Sequence, residues 1–235
     1  MREDGYVLVI GAAGLDIKGR SHTALQMAAS NPGHIRNSFG GVGRNIAENL
    51  ARLEVETMLL TAVGDDTSGD LLLAHSAAAG VDVTHVLQVE GGRSGSYVAV
   101  LDEDGDLSVA VSDYEIMQHL DAAFFEEHTR LFDHARMIVL DLNLYPEAIA
   151  KVIDLAKQFH VPLCVDPTSP SHAAKICNDL HHVYLMMPNA SETMTLCGLS
   201  APANDLDTAI SAAKQLVASG LEIAIVTLGE KGLAY

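Results

Sequence analysis

Short apolar runs alternate with longer amphipathic segments along almost the whole chain, and few folds accommodate that rhythm. Strand-like runs fall at 7–10, 57–62, 137–140, 163–165, 183–187 and 223–227, with helix-like segments at 46–53, 69–79, 145–159 and 205–219 between most of them. Short, uniformly apolar strands suit a parallel sheet covered by helices on both faces. The expectation is an α/β fold with a mostly parallel central sheet, occupying 1–235 as one large domain. Ligands of such sheets collect at the carboxyl ends of the strands. Asp16, Asp141, Asn143, Asp166 and Asn189 each stand just past a strand-like run.

One stretch departs from the alternation. Residues 94–111 read as two strands joined by an Asp-Gly turn, which is hairpin chemistry. With the segment 17–38 this hairpin is expected to form a small antiparallel sheet beside the main one, with lid segments at about 17–38 and 92–115. An ordinary extension of the sheet is the competing reading.

Phe39-Gly40-Gly41-Val42-Gly43-Arg44-Asn45-Ile46-Ala47 puts a glycine cluster at the mouth of an amphipathic helix. Glycine lets a backbone approach a ligand closely and take turns closed to other residues. Ile46, Leu50 and Leu53 share one helix face and are expected to be buried. The free N–H groups of the helix and Asn45 would then face whatever lies against the glycines. A tight turn made only for packing is the alternative.

Charge and apolar content exclude some partners. Against 14 basic residues stand 31 acidic ones, a formal net charge of −17, which repels nucleic-acid polymers and anionic membranes. No apolar run is long enough to span a bilayer, and Met1-Arg2-Glu3-Asp4-Gly5 enters a strand without the layout of a signal peptide. Cys164, Cys177 and Cys197 form no C-x-x-C pair, so reduced thiols in a cytoplasmic protein, without structural zinc, are expected. At the far end, Leu233-Ala234-Tyr235 reads as the opening of a strand after a turn at 228–232. That predicts a C-terminally truncated fragment whose uncovered sheet edge invites aggregation.

Five motifs, in order and spread over essentially the whole chain, resemble the ribokinase-like family of sugar and nucleoside kinases, the PfkB family. Gly40-Gly41-Val42-Gly43-Arg44-Asn45 is similar to its first signature, and Val63-Gly64-Asp65-Asp66 followed by Gly69 to its second strand and turn. Gly80-Val81-Asp82 resembles the lead-in to the lid strands. Asn189-Ala190-Ser191-Glu192 matches N-x-x-E, and Thr227-Leu228-Gly229-Glu230-Lys231-Gly232 matches T-x-G-x-x-G. Within the family the likeness is to the pseudouridine-kinase subgroup. It rests on the opening Met1-Arg2-Glu3, Ser30-Asn31-Pro32-Gly33, the string from Gly40 to Ala47, and Ser112-Asp113 ahead of Glu115-Ile116. Val42 stands where ribokinases typically carry Lys.

The resemblance implies a ribokinase-like fold with a small β lid. It also implies an ATP-dependent kinase acting on the 5′-hydroxyl of pseudouridine, or of a related nucleoside or sugar, with Mg²⁺ on the nucleotide. Asp16 and Asn45 would grip vicinal hydroxyls, Gly40 and Gly41 would admit the ring, and Asn143 would join them in binding substrate. Asn189, Thr227, Gly229 and Gly232 would attend the ATP phosphates, and Glu192 with Asn189 would order the water shell of Mg²⁺. A turn-forming Asp16, a helix-capping Asn189 and Glu192, and a turn glycine at Gly232 are the structural alternatives. Asp141 and Asp166 read as supporting groups behind the ligand. The scattered histidines, His181 and His182 included, lack metal-ligand spacing. The implied partners are a small-molecule nucleoside or sugar, no nucleic-acid polymer, no membrane, and a second copy paired through the lid.

Departures from the pattern matter too. Glu54 stands where the first signature continues with Gly, and Gly14 where an Asn often precedes the sugar-binding Asp. The family's Gly-Ala-Gly-Asp segment, source of the catalytic Asp base and of a backbone anion hole, occurs nowhere in 1–235, so no catalytic residue is assigned. A second expectation therefore stays open: a binding chain that transfers nothing. A dinucleotide-binding oxidoreductase fits the alternation, but Gly11-Ala12-Ala13-Gly14 is not G-x-G-x-x-G.

Overall fold

A computed structural model describes residues 4–235; the Met1-Arg2-Glu3 likeness and the start of the N-terminal reading lie outside the described residues. The chain opens on β1 (Tyr6–Ile10), then leaves it for β2 (Gly14–Ser21) and β3 (Gly33–Gly40). Helix α1 (Val42–Arg52) leads back to β4 (Thr57–Leu60) and β5 (Ala62–Gly64), and α2 (Thr67–Ala78) leads on to β6 (Leu87–Val89). A hairpin follows, β7 (Gly95–Leu101) and β8 (Leu107–Asp113), then two short helices, α3 (Ala122–Glu127) and α4 (Thr129–His134). The second half runs β9 (Ala135–Asp141), α5 (Pro146–Phe159), β10 (Leu163–Asp166), α6 (Pro170–Ala173) and β11 (Leu185–Met186). It closes with α7 (Ala190–Cys197), α8 (Leu206–Ala218), β12 (Ile223–Ala224), β13 (Val226–Thr227) and β14 (Leu233–Ala234).

Six strands form the central sheet in the order β12-β11-β10-β9-β1-β4, and every neighbouring pair is parallel. This is the expected α/β architecture, with helices on both faces. Val7, Val9 and Leu59 pack with Ala47 of α1 on one side. Leu8, Ile10, Leu60, Ile138 and Leu140 meet Phe125, Phe132, Ile149 and Val152 on the other. Strand side chains alternate between faces, so each central strand feeds both layers. Because β4 lies on one side of β1 and β9 on the other, the chain changes direction at β1, the switch point at whose carboxyl rim sheets of this kind form a ligand crevice.

Several local expectations need correction. Helix α1 begins at Val42, earlier than its apolar stripe suggests. Leu53 is 74% exposed rather than buried, because it sits at the C-cap, where the chain turns off through Glu54 at φ 62°. Ile46 and Leu50 do pack against the core, half-buried. The run 57–62 is two strands, since Ala62–Gly64 leaves the sheet to pair with β6. The stretch 115–134, to which the sequence reading assigned no element, holds α3 and α4; Asp121 caps α3 by accepting the Phe124 N–H at 2.8 Å.

Segments 17–38 and 92–115 contribute to a four-stranded sheet of order β3-β2-β7-β8. It is mixed rather than wholly antiparallel: β2 runs parallel to β7, with Gly14 opposite Gly95, because both strands set out from the same rim. Ile17, Val98 and Val111 fall in register on one face, with Val100 and Val109 beside them; Val98, Val100, Val109 and Val111 are exposed. Among the described residues no helix is long and apolar enough to cross a membrane.

Candidate active site

Asp141, the last residue of β9, is fully buried at the carboxyl rim of the sheet. Its Oδ2 accepts the backbone N–H groups of Ala12 (2.8 Å) and Gly43 (2.7 Å). Its Oδ1 accepts the N–H (2.9 Å) and the side-chain amide (3.1 Å) of Asn143. Burial pushes this carboxyl above its ordinary pKa, and the bonds from Asn143, Ala12 and Gly43 only partly offset that. Lys175 stands close by, its Nζ donating to the carbonyls of Leu142 (2.8 Å) and Leu144 (2.9 Å). Burial lowers the Lys175 pKa, while the Asp141 charge acts the other way.

The glycine loop seats the start of α1 directly on the end of β1. Gly41 has φ 90°, and a Cβ there would stand 2.3 Å from the Ala12 carbonyl oxygen, so no other residue keeps this contact. Beside it, the Asp16 carboxylate leans over Gly40, where an added Cβ would lie 2.3 Å from Oδ1. Asp16 remains partly open to solvent, with Lys18 Nζ 3.6 Å from its Oδ2. Arg44 holds the loop from behind at 3% exposure. Its Nε donates to the Gly40 carbonyl (2.9 Å) and Nη2 to that of Phe39 (3.1 Å), and the guanidinium also meets Asn45 Oδ1 and the Glu48 carboxylate. Burial drives the Glu48 carboxyl up, but Arg44 and Arg52 outweigh it and leave the pKa below its ordinary value. Asn45 is exposed in the first turn of α1.

Asp16, Gly40, Gly41 and Asn143 are thus grouped around the switch point, while Asn45, in the first turn of α1, has its Oδ1 on the Arg44 guanidinium. The remaining candidates lie further along the same rim. Asn189 caps α7, accepting the N–H groups of Ser191 (2.9 Å) and Glu192 (3.0 Å), and Glu192 Oε2 accepts the Asn189 N–H (2.9 Å) to complete a capping box. Thr227 lies alongside as the bridge partner of Asn189, and its N–H donates to the Pro188 carbonyl (2.9 Å). Gly229 (φ 61°) and Gly232 (φ 95°) shape the following turn, closed by Leu228 N–H on the Gly232 carbonyl (2.8 Å).

Asp166 connects the two groups, being the register partner of Asp141 on the adjacent strand. Thr168, at φ 66°, donates its N–H to Asp166 Oδ1 (2.8 Å) and accepts the Leu142 N–H at its Oγ1 (3.1 Å), tying the two strand ends together. Burial raises the Asp166 pKa. Burial also raises that of Glu192, against the Asn189 N–H bond and with the Asp166 charge adding to the rise. Among the described residues no group of three His, Cys, Asp or Glu side chains forms a ready metal cage. Arg44, Lys175, Thr168 and Tyr114 carry no expected role from the sequence. Arg44 alone carried a signal, as the one charged residue inside the glycine signature.

Comparison with known proteins agrees with this geometry. The family model for pfkB family carbohydrate kinase matches residues 4–235. The pseudouridine kinase of Escherichia coli (strain K12) is 38% identical over 235 residues, which is 100% of this chain and 74% of that protein. The guanosine-inosine kinase of Exiguobacterium acetylicum is 30% identical over 97% of this chain and 75% of its own length. The solved carbohydrate kinase from Agrobacterium tumefaciens matches with a TM-score of 0.83 at 26% identity, covering 94% of this chain and 69% of that one. A ribokinase-like sheet, a glycine loop at its switch point and a match along nearly the full sequence converge: the chain belongs to the pfkB family of carbohydrate kinases, the sugar and nucleoside phosphotransferases.

Proposed function

We propose that the crevice around Asp16 binds a nucleoside and that the kinase phosphorylates the 5′-hydroxyl of pseudouridine, with ATP as donor. The observation that carries this reading is the Asp16 carboxylate leaning over Gly40, on a loop clamped from behind by Arg44. A carboxylate partly open to solvent suits the vicinal hydroxyls of a ribose, and the identity to a pseudouridine kinase supports that base over others. Asn143, with its amide nitrogen on Asp141, would add a second polar contact from the floor.

The nucleotide phosphates would lie along Asn189, Thr227, Gly229 and Gly232, where backbone turns with positive φ leave open space. Glu192 and Asp166 fit a hard cation, since burial and mutual repulsion raise the Glu192 pKa and a positive charge would relieve both. When bound with ATP, Mg²⁺ supplies neutralising charge on the phosphates. The chain's own part is to orient the sugar and keep water from the reacting hydroxyl. No proton acceptor is assigned within 1–235. A second copy of the chain would pack on the exposed Val98, Val109 and Val111 face, and sedimentation velocity tests this by a dimer lost in Val109→Lys.

Calorimetric titration with pseudouridine, uridine and ribose, run beside an ATP-consumption assay, tests the main reading. Tightest binding of pseudouridine, lost in Asp16→Ala, is the expected result. Binding of none of the three, or binding indifferent to Asp16, overturns it.

A further inference from the structure

Tyr114 lies across two glycines at the edge of the same crevice. A Cβ on Gly14 would come within 2.7 Å of its hydroxyl oxygen and 2.8 Å of Cε1, and a Cβ on Gly95 within 2.6 Å of Cδ1 and of Cε1. The ring therefore keeps its seat only because both positions lack a side chain. Gly14 and Gly95 are register partners, and Asp16, two residues on from Gly14, lies on the same face of the sheet.

The ring is half-buried, yet no hydrogen bond reaches its hydroxyl among the described residues. Nor is that oxygen sealed from solvent: the one unpartnered and sealed side-chain polar atom among the described residues is His75 Nδ1. An unbonded, accessible hydroxyl beside Asp16 is thus available to a ligand. Burial pushes the Tyr114 pKa up to about 12, with the Asp16 and Asp141 charges acting the same way and Arg44 against them. Its hydroxyl therefore keeps its proton and can donate. Lys18 Nζ, 3.6 Å from Asp16 Oδ2, is a charged donor on that carboxylate, and Tyr114 adds a neutral one. Asp16 can only accept when ionised, and Asp141 is already occupied by four hydrogen bonds.

We propose that Tyr114 is a specificity-determining residue, whose hydroxyl donates to one oxygen of the vicinal sugar diol held by Asp16. This rests on the nucleoside reading of the site. The sugar would be read from two directions, with protons given to Asp16 and one received from Tyr114.

The test is calorimetric titration of the wild-type chain and of Tyr114→Phe with pseudouridine, uridine, 2′-deoxyuridine and 3′-deoxyuridine, with thermal melts as a check on folding. Phe keeps the ring in its glycine seat and removes only the hydroxyl. The expected result is about 2- to 10-fold weaker binding of the ribonucleosides, the effect of one lost neutral hydrogen bond. One of the two deoxy analogues, the one lacking the contacted oxygen, should bind both proteins equally. Affinities unchanged between wild type and variant for every ligand overturn the proposal, and so does uniform weakening across all four, which a merely structural role would give. If the wild-type chain binds none of the four, the nucleoside reading itself fails and this inference falls with it.

Discussion

The Gly43 N–H donates to Asp141 Oδ2 at 2.7 Å, so the end of β9 holds the first turn of α1 across 98 residues of sequence. The same oxygen takes the Ala12 N–H, and three chain segments meet on one carboxylate. Asp141→Ala leaves both buried donors unsatisfied and is expected to cost about 3 kcal/mol or more in urea denaturation. The pH dependence has a definite sign. The folded state holds the Asp141 proton more tightly than the unfolded state, because burial raises its pKa. Its contribution to stability therefore falls as pH rises from the ordinary carboxylate pKa through the folded one. Asp141→Asn should lack that slope.

Asp66 works in the opposite direction. It caps α2 through the Gly69 N–H (2.8 Å) and also accepts the Ser94 hydroxyl (2.7 Å) and N–H (2.9 Å), fastening α2 to the base of β7. Burial raises its pKa, but these hydrogen bonds outweigh it and leave the value below the ordinary one. The stabilisation is present above the unfolded pKa and is lost as pH falls through the folded pKa. Asp66→Ala should cost about 1–2 kcal/mol at neutral pH. The loss should shrink in acid, which denaturation at stepped pH would show.

Glu54→Gly should stabilise the chain. A side chain at φ 62° carries a steric cost of about 1–2 kcal/mol. Glycine removes it while adding roughly 0.5–1 kcal/mol of unfolded-state entropy. A net gain of roughly 0.5–1 kcal/mol should raise Tm by about 1–4 °C, measured by scanning calorimetry.

Glu192→Gln separates two roles of one side chain. Gln still accepts the Asn189 N–H, so the capping box and the melting temperature should hold, with a change of less than about 0.5 kcal/mol. The negative charge is lost, so any enhancement of ATP binding by Mg²⁺ should drop about tenfold or more, on calorimetry with and without the cation. Unchanged enhancement would reduce Glu192 to a cap.

The strand ends were legible in the sequence because apolar runs stop there and Asp or Asn follows, as at Asp141, Asp166 and Asn189. The glycine loop was legible for a similar reason, since Gly41 marks backbone that other residues cannot copy. Arg44 was not, because a one-dimensional pattern does not say that an arginine will be buried under its own loop carbonyls. The role of Asp141 as the hub of the site was hidden as well: Asn143 reaches it locally, but its donors at positions 12 and 43 are brought to it only by the sheet order. Leu53 misled in the other direction, keeping helical spacing one residue past the end of the helix. Tyr114 gave no signal, because its seat depends on Gly14 and Gly95, which meet only when β2 and β7 pair.

The parallel pairing of β2 with β7 has a mechanical consequence. Both hairpins are stitched into one four-stranded board, so a displacement of one pair of strands would carry the other with it. Gly40 belongs to that board, at the end of β3, and it is also the residue over which the Asp16 carboxylate rests. Any tilt of the board would therefore turn Asp16 with it, since that residue is itself part of β2.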